Sequence, residues 1–462
     1  MLFNTAQFAF FLLIVALMHA ILPRAWRNAW LLAASLTFYA LWIPVYLLLL
    51  LGVLVVNYVF AMAIARSSTP KPPLVASIVF TLGVLAYYKY WNFFLDNLGW
   101  LIGPHSAAEI FLPLGISFYS FVIIALNVDL YRRTMDLPRF SQYALFVTFF
   151  PHMIAGPILR GSEFLPQLEL RGVYTSDRIR RGLWLIAGGL FKKVVMGDFL
   201  LAPFVNEVFG RPGVHSAPVH LFAVYSLSFQ IYCDFAGYSD IARGVACLLG
   251  YELPLNFAEP YLSRNPAEFW RRWHMTLSRW LRDYLYIPLG GNRQSSFRTS
   301  ANLMITMVLG GLWHGASWNF LVWGGLHGLL LVLHRFFRGN HAEQPLGFTL
   351  GNVVAIVATF HATSALWIFF RAADFSTATT ILYALAAGNW AGEWPVLQIG
   401  IVGACLATHV LERLVVERSQ QIITASRTSW AFAATEGVAF GIVLALSVLC
   451  NGTGAAFIYF QF

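Results

Sequence analysis

The sequence predicts an all-α polytopic membrane protein, and three observations carry that prediction. Of 462 residues, 58% are hydrophobic and only 11% charged, against about 25% charged in an ordinary soluble domain. Several segments approach the ~20 apolar residues that cross a bilayer as a helix. The formal charge of +9 is spread in short basic clusters between those segments. That is the distribution of cytoplasmic loops, not of a DNA-binding face, so the lipid bilayer is an expected partner and nucleic acid is not.

The first apolar run, 6–22, lacks a preceding basic residue and is followed by Pro23, Arg24 and Arg27. It reads as a retained span with its N-terminus outside, not as a cleaved signal. Spans 29–42 and 45–65 form a hairpin turning at Ile43-Pro44 and return to Arg66 and Lys71. Span 74–94 leads out, and 112–130 leads back to Arg132, Arg133 and Arg139. The apolar stretch 140–158 has basic residues on both sides, Arg160, Arg171, Arg178, Arg180 and Arg181 following it. It is expected to be re-entrant or interfacial, broken at Pro151, Gly156 and Pro157, and buried in protein or lining a cavity as irregular backbone at that depth requires.

A span at 183–201 leads out and one at 218–235 returns to the longest polar-rich stretch, 256–300. A hairpin around Trp313-His314-Gly315 follows, then spans near 352–370, 397–412 and 431–450. The sum is about ten or eleven transmembrane helices with re-entrant and interfacial helices between them. No internal repeat or soluble domain interrupts the chain, which reads as a single membrane domain: N-terminal helices (1–140), a core (141–334) and C-terminal helices (335–462). Cys233, Cys247, Cys405 and Cys450 are scattered without a Cys-x-x-Cys pair, so buried inert thiols are expected, with neither a disulfide framework nor a zinc site.

Chemistry concentrates in 230–330. Asn302–Trp313 and Ser317–Leu333 are nearly uncharged limbs, with Arg293 and Arg298 before them and Arg335 and Arg338 after. At ~1.5 Å per residue the first limb climbs roughly 18 Å into a ~30 Å hydrocarbon core. His314 then falls near mid-membrane, where a titratable side chain suggests a functional site. Gly310, Gly311 and Gly315 beside it let backbone approach closely. A lone histidine on an apolar limb is also compatible with a structural role. His327 and His334 lie on the return limb, without a His-Glu-x-x-His pattern, and no metal is expected.

Pro266–Asp283 reads as one amphipathic helix, with Asn265 as cap and Pro266 in the first turn. Trp270, Trp273, His274, Leu277 and Leu281 share a face; Arg271, Arg272, Arg279 and Arg282 crowd elsewhere. Such a helix either lies on the membrane surface or turns His274 into a cavity while its guanidinium groups hold an anionic cofactor. Asp234 and Asp240 are carboxylates near membrane depth that can orient a histidine, pair with a cation, relay protons or tie helices together. No Gly-x-Ser-x-Gly occurs, which argues against a serine nucleophile. Proton-coupled transport is the competing class, but such folds often show matching halves, and here the polar residues lie in one region.

As a set, FWRRWHMTLSRWLRDYLYIPLGGNR (269–293) and GGLWHGASWNFLVWGGLHG (310–328) resemble the membrane-bound O-acyltransferase family, in particular its bacterial alginate or exopolysaccharide O-acetyltransferase branch. LPLGISFY (112–119), FFPHMIAGPILR (149–160), YCDFAGYSDIA (232–242) and FFRA (369–372) extend the resemblance over roughly 1–420. It implies His314 as the catalytic histidine and His274 as its partner. It further implies a central tunnel ringed by helices in a bacterial inner membrane, the N-terminus periplasmic. Acetyl-CoA is the expected acyl donor, a substrate and not a resident cofactor, with Arg271, Arg272, Arg279 and Arg282 drawing its phosphates. Trp273, Trp313, Asp234, Asp240, Asn319 and His327 are supporting candidates. The acceptor would be a hydroxyl of an exopolysaccharide such as alginate or cellulose, reached directly or through a periplasmic partner acetyltransferase. Peptidoglycan acetylation and D-alanyl transfer to teichoic acid are the alternatives within the family. At 120–128, SFVIIALNV replaces the polar stretch expected of alginate-type members.

Overall fold

The computed structural model describes residues 2–103, 108–170, 172–338, 349–426 and 430–451, with side chains at 100–102, 338 and 415–434 left out. Arg171 and the side chain of Arg338, two of the basic flanks named above, lie outside the described residues. Every described element is helical. Among the described residues, five helices are long and apolar enough to cross a membrane: Val45–Arg66, Lys71–Gly99, Trp318–Phe337, Leu350–Arg371 and Val396–Leu414. Shorter apolar helices are Ala6–Ile21, Ile116–Tyr131, Phe375–Ala387 and Thr435–Leu449. Large apolar side chains such as Leu48 (70% exposed) and Phe336 (81%) point outward, an arrangement that suits hydrocarbon and not water. The chain is a polytopic membrane protein of all-α class.

The residues cluster into two compact units, the first comprising Met1–Ile186 and Tyr238–Pro254. Its helices Ala6–Ile21, Arg24–Ala40, Val45–Arg66 and Ile116–Tyr131 follow the expected spans within a few residues. The fourth expected span runs longer, through a π-helical turn at Ala86–Tyr90 to Ile102. A polar knot binds three of these helices. Ser77 Oγ and Thr81 Oγ1 donate to Asn57 Oδ1 (2.9 and 3.1 Å), and Asn127 Nδ2 donates to Ser77 Oγ (2.6 Å). Where lipid supplies no hydrophobic drive between helices, such bonds act as glue. The stretch 140–158 forms two short helices, Phe140–Thr148 and Phe150–Met153, which part at Phe149 (ψ 104°) with Pro151 in the second one's first turn. Residues 143–159 are all buried, the condition that broken backbone in a membrane must meet.

The polar end of this unit is tied by Glu252. Arg178 and Arg181 donate through Nη2 to its Oε1 at 2.9 and 2.8 Å. Gln167 clamps its backbone, donating to the carbonyl (3.0 Å) and accepting from the N–H (2.8 Å). The Arg181 guanidinium, joined by Arg178, holds the Glu252 carboxyl below its ordinary range. A depressed carboxyl stabilises the fold above its unfolded pKa and loses that contribution as pH falls through the folded value. Half-exposed as the pair is, it is worth below ~1 kcal/mol. Glu252→Gln is therefore expected to lower the thermal midpoint slightly at pH 7, by a difference that shrinks as pH falls from the ordinary carboxyl range through the depressed folded value and vanishes below it, where the parent's carboxyl is itself protonated; paired melts across a series of acidic pH values check this.

The second unit comprises Ala187–Gly237 and Leu255–Phe462. The helix Ala217–Leu248 runs well past the expected 218–235, because no proline falls between 219 and 253 to stop it; only its part up to Gly237 belongs here. Phe375–Ala387, started by Asp374 accepting from Thr377 N (2.7 Å), was not anticipated. Val396–Ser426 is far longer than the 397–412 read from the sequence.

The expected hairpin is present as Ser296–His314 and Trp318–Arg338. Its limbs meet at glycines. A Cβ on Gly311 would collide with the Phe320 carbonyl, and one on Gly324 would lie 3.1 Å from Gly311 Cα. Small residues allow that approach. Gly311→Ala is expected to destabilise by ~1–3 kcal/mol, read as a lowered melting midpoint in detergent. Gly325→Ala, whose Cβ would meet only Val308 Cγ2 at 3.8 Å, should be nearly neutral.

Candidate active site

Pro266–Asp283 is not the single helix its periodicity predicts. Asn265 caps the start, accepting from Glu268 N (2.8 Å), and Pro266 takes the first turn as expected. The helix then ends at Arg272, and a second begins at Met275. Between them His274 adopts φ 40°, ψ 55°, a left-handed conformation uncommon outside glycine and costing ~1–3 kcal/mol where it is held. The segment 256–258 holds it from both sides. Ala258 N donates to the Arg272 carbonyl (3.0 Å), Met275 N to the Asn256 carbonyl (2.9 Å), and Thr276 Oγ1 to Asn256 Oδ1 (2.7 Å). Tertiary hydrogen bonds outweigh the helix period, and the break turns His274 inward to full burial.

Glu268 anchors this turn. Its Oε2 accepts from Arg264 N and Nε (both 3.0 Å), and its Oε1 from Arg272 Nε and Nη2 (3.2 and 3.0 Å). Arg272 also approaches Glu259 (3.7 Å) and donates to the Ala258 carbonyl (3.2 Å). The structure thus commits Arg272 to an internal ion cluster. Arg271 and Arg282 are exposed, Arg279 is half-buried, and Arg282 donates to Asp283 Oδ1 at 2.6 Å.

His314 ends the first limb of the hairpin and is 4% exposed. Three rings enclose it: Trp313 at 5.0 Å, Trp323 at 5.1 Å and Phe370 at 5.3 Å between centroids. Trp313 also lies 6.1 Å from His274, so one indole neighbours both histidines. His274 is further packed by Phe235 at 4.6 Å and Phe257 at 6.5 Å. Trp367 joins the halves, stacking on Trp323 (5.5 Å) and lying 4.9 Å from Trp273. The result is an aromatic chamber holding two imidazoles.

His327, one helical turn beyond Trp323, completes the ring set, 4.8 Å from Trp323 and 5.0 Å from Trp270. Neither ring nitrogen of His274 or of His327 has a hydrogen-bond partner among the described residues, and the same holds for the indole N–H groups of Trp270, Trp323 and Trp367. Leaving a buried polar group unpaired costs ~1–3 kcal/mol. Several such groups gather within this one aromatic cluster. Asn319 holds its wall, donating to the Ala372 carbonyl at 2.9 Å.

The carboxylates lie elsewhere. Asp234 pairs with Lys193, which also bonds Asp198 Oδ1 at 2.8 Å, and all three are buried. Asp240, in the first unit, accepts from Arg243 (3.2 Å). The Lys193–Asp234 pair ties two helical segments, whereas Asp240 and Arg243 pair within one helix. Sequence reasoning passed over Glu268, Lys193 and Asp198, and over Trp323, Trp367 and Phe370 as chamber walls. Only Glu268 left a local signal: Arg264, Glu268 and Arg272 stand four apart.

With this geometry in hand, the chain's similarities are informative. It is 37% identical over 426 residues to the peptidoglycan O-acetyltransferase of Helicobacter pylori, covering 84% of this chain and 80% of that protein. It is 38% identical over 429 residues to a probable alginate O-acetylase of Pseudomonas aeruginosa (90% and 80%). A teichoic acid D-alanyltransferase of Streptococcus thermophilus is 31% identical over 236 residues (48% and 56%). Residues 22–372, which include both histidines and the Trp313-His314-Gly315 turn, match the model of the membrane-bound O-acyltransferase family. A multi-pass helical membrane protein suits that description, and with the match spanning most of its length the chain belongs to the family: this is a membrane-bound O-acyltransferase.

Proposed function

We propose that the protein moves an acetyl group from acetyl-CoA, presented on the cytoplasmic side of a bacterial inner membrane, to a hydroxyl on the periplasmic side. The observation that carries the reading is the pair of buried imidazoles that both neighbour Trp313. His314 takes the proton of the acceptor hydroxyl as its oxygen attacks the thioester carbonyl. An imidazole suits this work because its ordinary pKa lies nearest neutrality. His274, in its neutral form, donates one N–H to the developing oxyanion. The C–S bond then breaks, the thiolate takes the proton from His314, and the ester leaves with the acceptor. The chamber's rings exclude water that would otherwise hydrolyse the thioester. Arg271, Arg279 and Arg282 draw the phosphates of the donor; Arg272 contributes by holding the turn.

Acetyl is favoured over D-alanyl as the transferred group, because the two O-acetylating relatives match over 84% and 90% of the chain and the D-alanyl one over 48%. The acceptor is an exopolysaccharide such as alginate or cellulose, or peptidoglycan, reached directly or through a periplasmic partner acetyltransferase. The test is purified protein in liposomes, given radiolabelled acetyl-CoA on one face and alginate, cellulose or peptidoglycan fragments on the other. Label in a polymer supports the reading; label only from a D-alanyl carrier thioester overturns it. His274→Asn is expected to keep more activity than His274→Ala, since asparagine tolerates the left-handed backbone and can still donate a hydrogen bond. Equal, near-parental turnover of both would remove His274 from the chemistry.

A further inference from the structure

The first unit holds a surface cavity that involves none of the residues assigned to acyl transfer. Its volume is about 660 Å³, and it lies among the helix Arg24–Ala40, the start of Phe140–Thr148 and the end of Gly161–Leu170. Its floor is apolar, formed by Ala29, Leu32, Ala33 and Leu36 from one face of the first of these helices. Its polar lining comes from Asn28, Arg139, Ser141 and Glu169.

The cavity has an outer and an inner end. Arg24–Ala40 opens on Arg24 and Arg27, and Trp26 between them is 65% exposed. Arginine and exposed tryptophan mark the boundary between membrane and water. From Ala25 to Leu36 the helix climbs roughly 16 Å at ~1.5 Å per residue, so the floor descends into the hydrocarbon. The polar groups stay at the outer end. Asn28 Nδ2 donates to the Leu168 carbonyl (2.8 Å), which puts Glu169 there. Phe150 N donates to Ser35 Oγ (3.2 Å), so Phe140–Thr148 has its deep end near Ser35, and Arg139 at its start returns to the boundary with the exposed Arg132 and Arg133. Polar at the boundary and apolar beneath it, the cavity matches the profile of a phospholipid.

Its charges decide which head group fits. Arg139 and Glu169 both line the cavity, and neither has an ion-pair partner among the described residues. A purely anionic head is drawn to Arg139 but repelled by Glu169. A quaternary ammonium meets the charge of Glu169 without an N–H to give it, whereas a primary ammonium has three. We propose that this cavity binds a zwitterionic phospholipid with a primary ammonium head, of the phosphatidylethanolamine type. Its phosphate lies on Arg139 and the Ser141 hydroxyl, its ammonium on Glu169, and one acyl chain runs along Leu32 and Leu36.

The full-length protein is placed in phosphatidylcholine nanodiscs with a small fraction of a phosphatidylethanolamine probe, which bears a diazirine near the head of one acyl chain. Phosphatidylcholine and phosphatidylglycerol probes with the same chains are compared at the same fraction, and labelled peptides are mapped by mass spectrometry. The ethanolamine probe is expected to label 25–36 and 139–142 about threefold more than either other probe, the scale of one exposed ion pair. Segment 45–66, which also faces outward through Leu48, should be labelled equally by all three. Glu169→Gln should remove the advantage of ethanolamine over choline, and Arg139→Gln should lower labelling of the cavity by every probe. Equal labelling of 25–36 by the three probes, or an ethanolamine excess that appears equally at 45–66, leaves only unselective boundary lipid and overturns the proposal. Strongest labelling by the glycerol probe overturns it in favour of a basic patch. These comparisons use unsubstituted protein, so they decide even if a variant fails to fold.

Discussion

Replacing His314 by alanine is expected to lower acyl transfer by ~10²–10⁴-fold, the usual worth of a general base, while the protein still inserts and folds. The side chain is 4% exposed and meets rings on three sides, so alanine also opens a small gap beneath Trp323. His314→Gln separates the two effects: it fills the space but is no base at neutral pH. Both variants should be inactive, and the glutamine one should melt close to the parent. Turnover in liposomes with labelled donor is the readout, with the melting midpoint as control. Retention of parental turnover by either variant would remove His314 from the reaction.

Glu268→Ala is expected to produce the largest loss of stability. It leaves buried Arg264 and largely enclosed Arg272 beside a missing carboxylate, with Glu259 at 3.7 Å and the Ala258 carbonyl at 3.2 Å still near Arg272. Breaking a buried pair on one side costs ~3–5 kcal/mol. The turn that holds His274 in its left-handed conformation hangs on that cluster, so activity should fall in step with stability. Glu268→Gln keeps an acceptor and loses the charge, and should lie between. A melting midpoint unchanged in Glu268→Ala would show that segment 256–258 alone sustains the turn.

The contrast between these residues explains what was legible in advance. His314 could be found from the sequence because its surroundings are local: an apolar limb, three glycines and a following limb whose return is dictated by length. The helical spans were legible for the same reason, since a bilayer demands runs of apolar residues whatever the fold. Helix ends were not. Ala217–Leu248 and Val396–Ser426 outrun their apolar cores because polar residues continue a helix as readily as apolar ones. Phe375–Ala387 was missed although Asp374 caps it by ordinary rules.

The break at His274 had no signal in the periodicity, which continues through it. Hydrogen bonds from 256–258, over a dozen residues away in sequence, decide that the helix stops there. Arg272 shows the same division. Its type and position suggested anion binding, and its partners make it a strut.

By itself the sequence determined the all-α membrane class, the order of spans and the histidine at the centre of the hairpin. Each follows from solvent chemistry acting on contiguous residues. The tertiary structure alone decided that His274 faces inward, that Trp313 neighbours both it and His314, that Trp323 and Trp367 pack around His314 and His327, and that Glu268 holds the turn. These depend on contacts between residues distant in the chain, for which local pattern carries no period and no spacing.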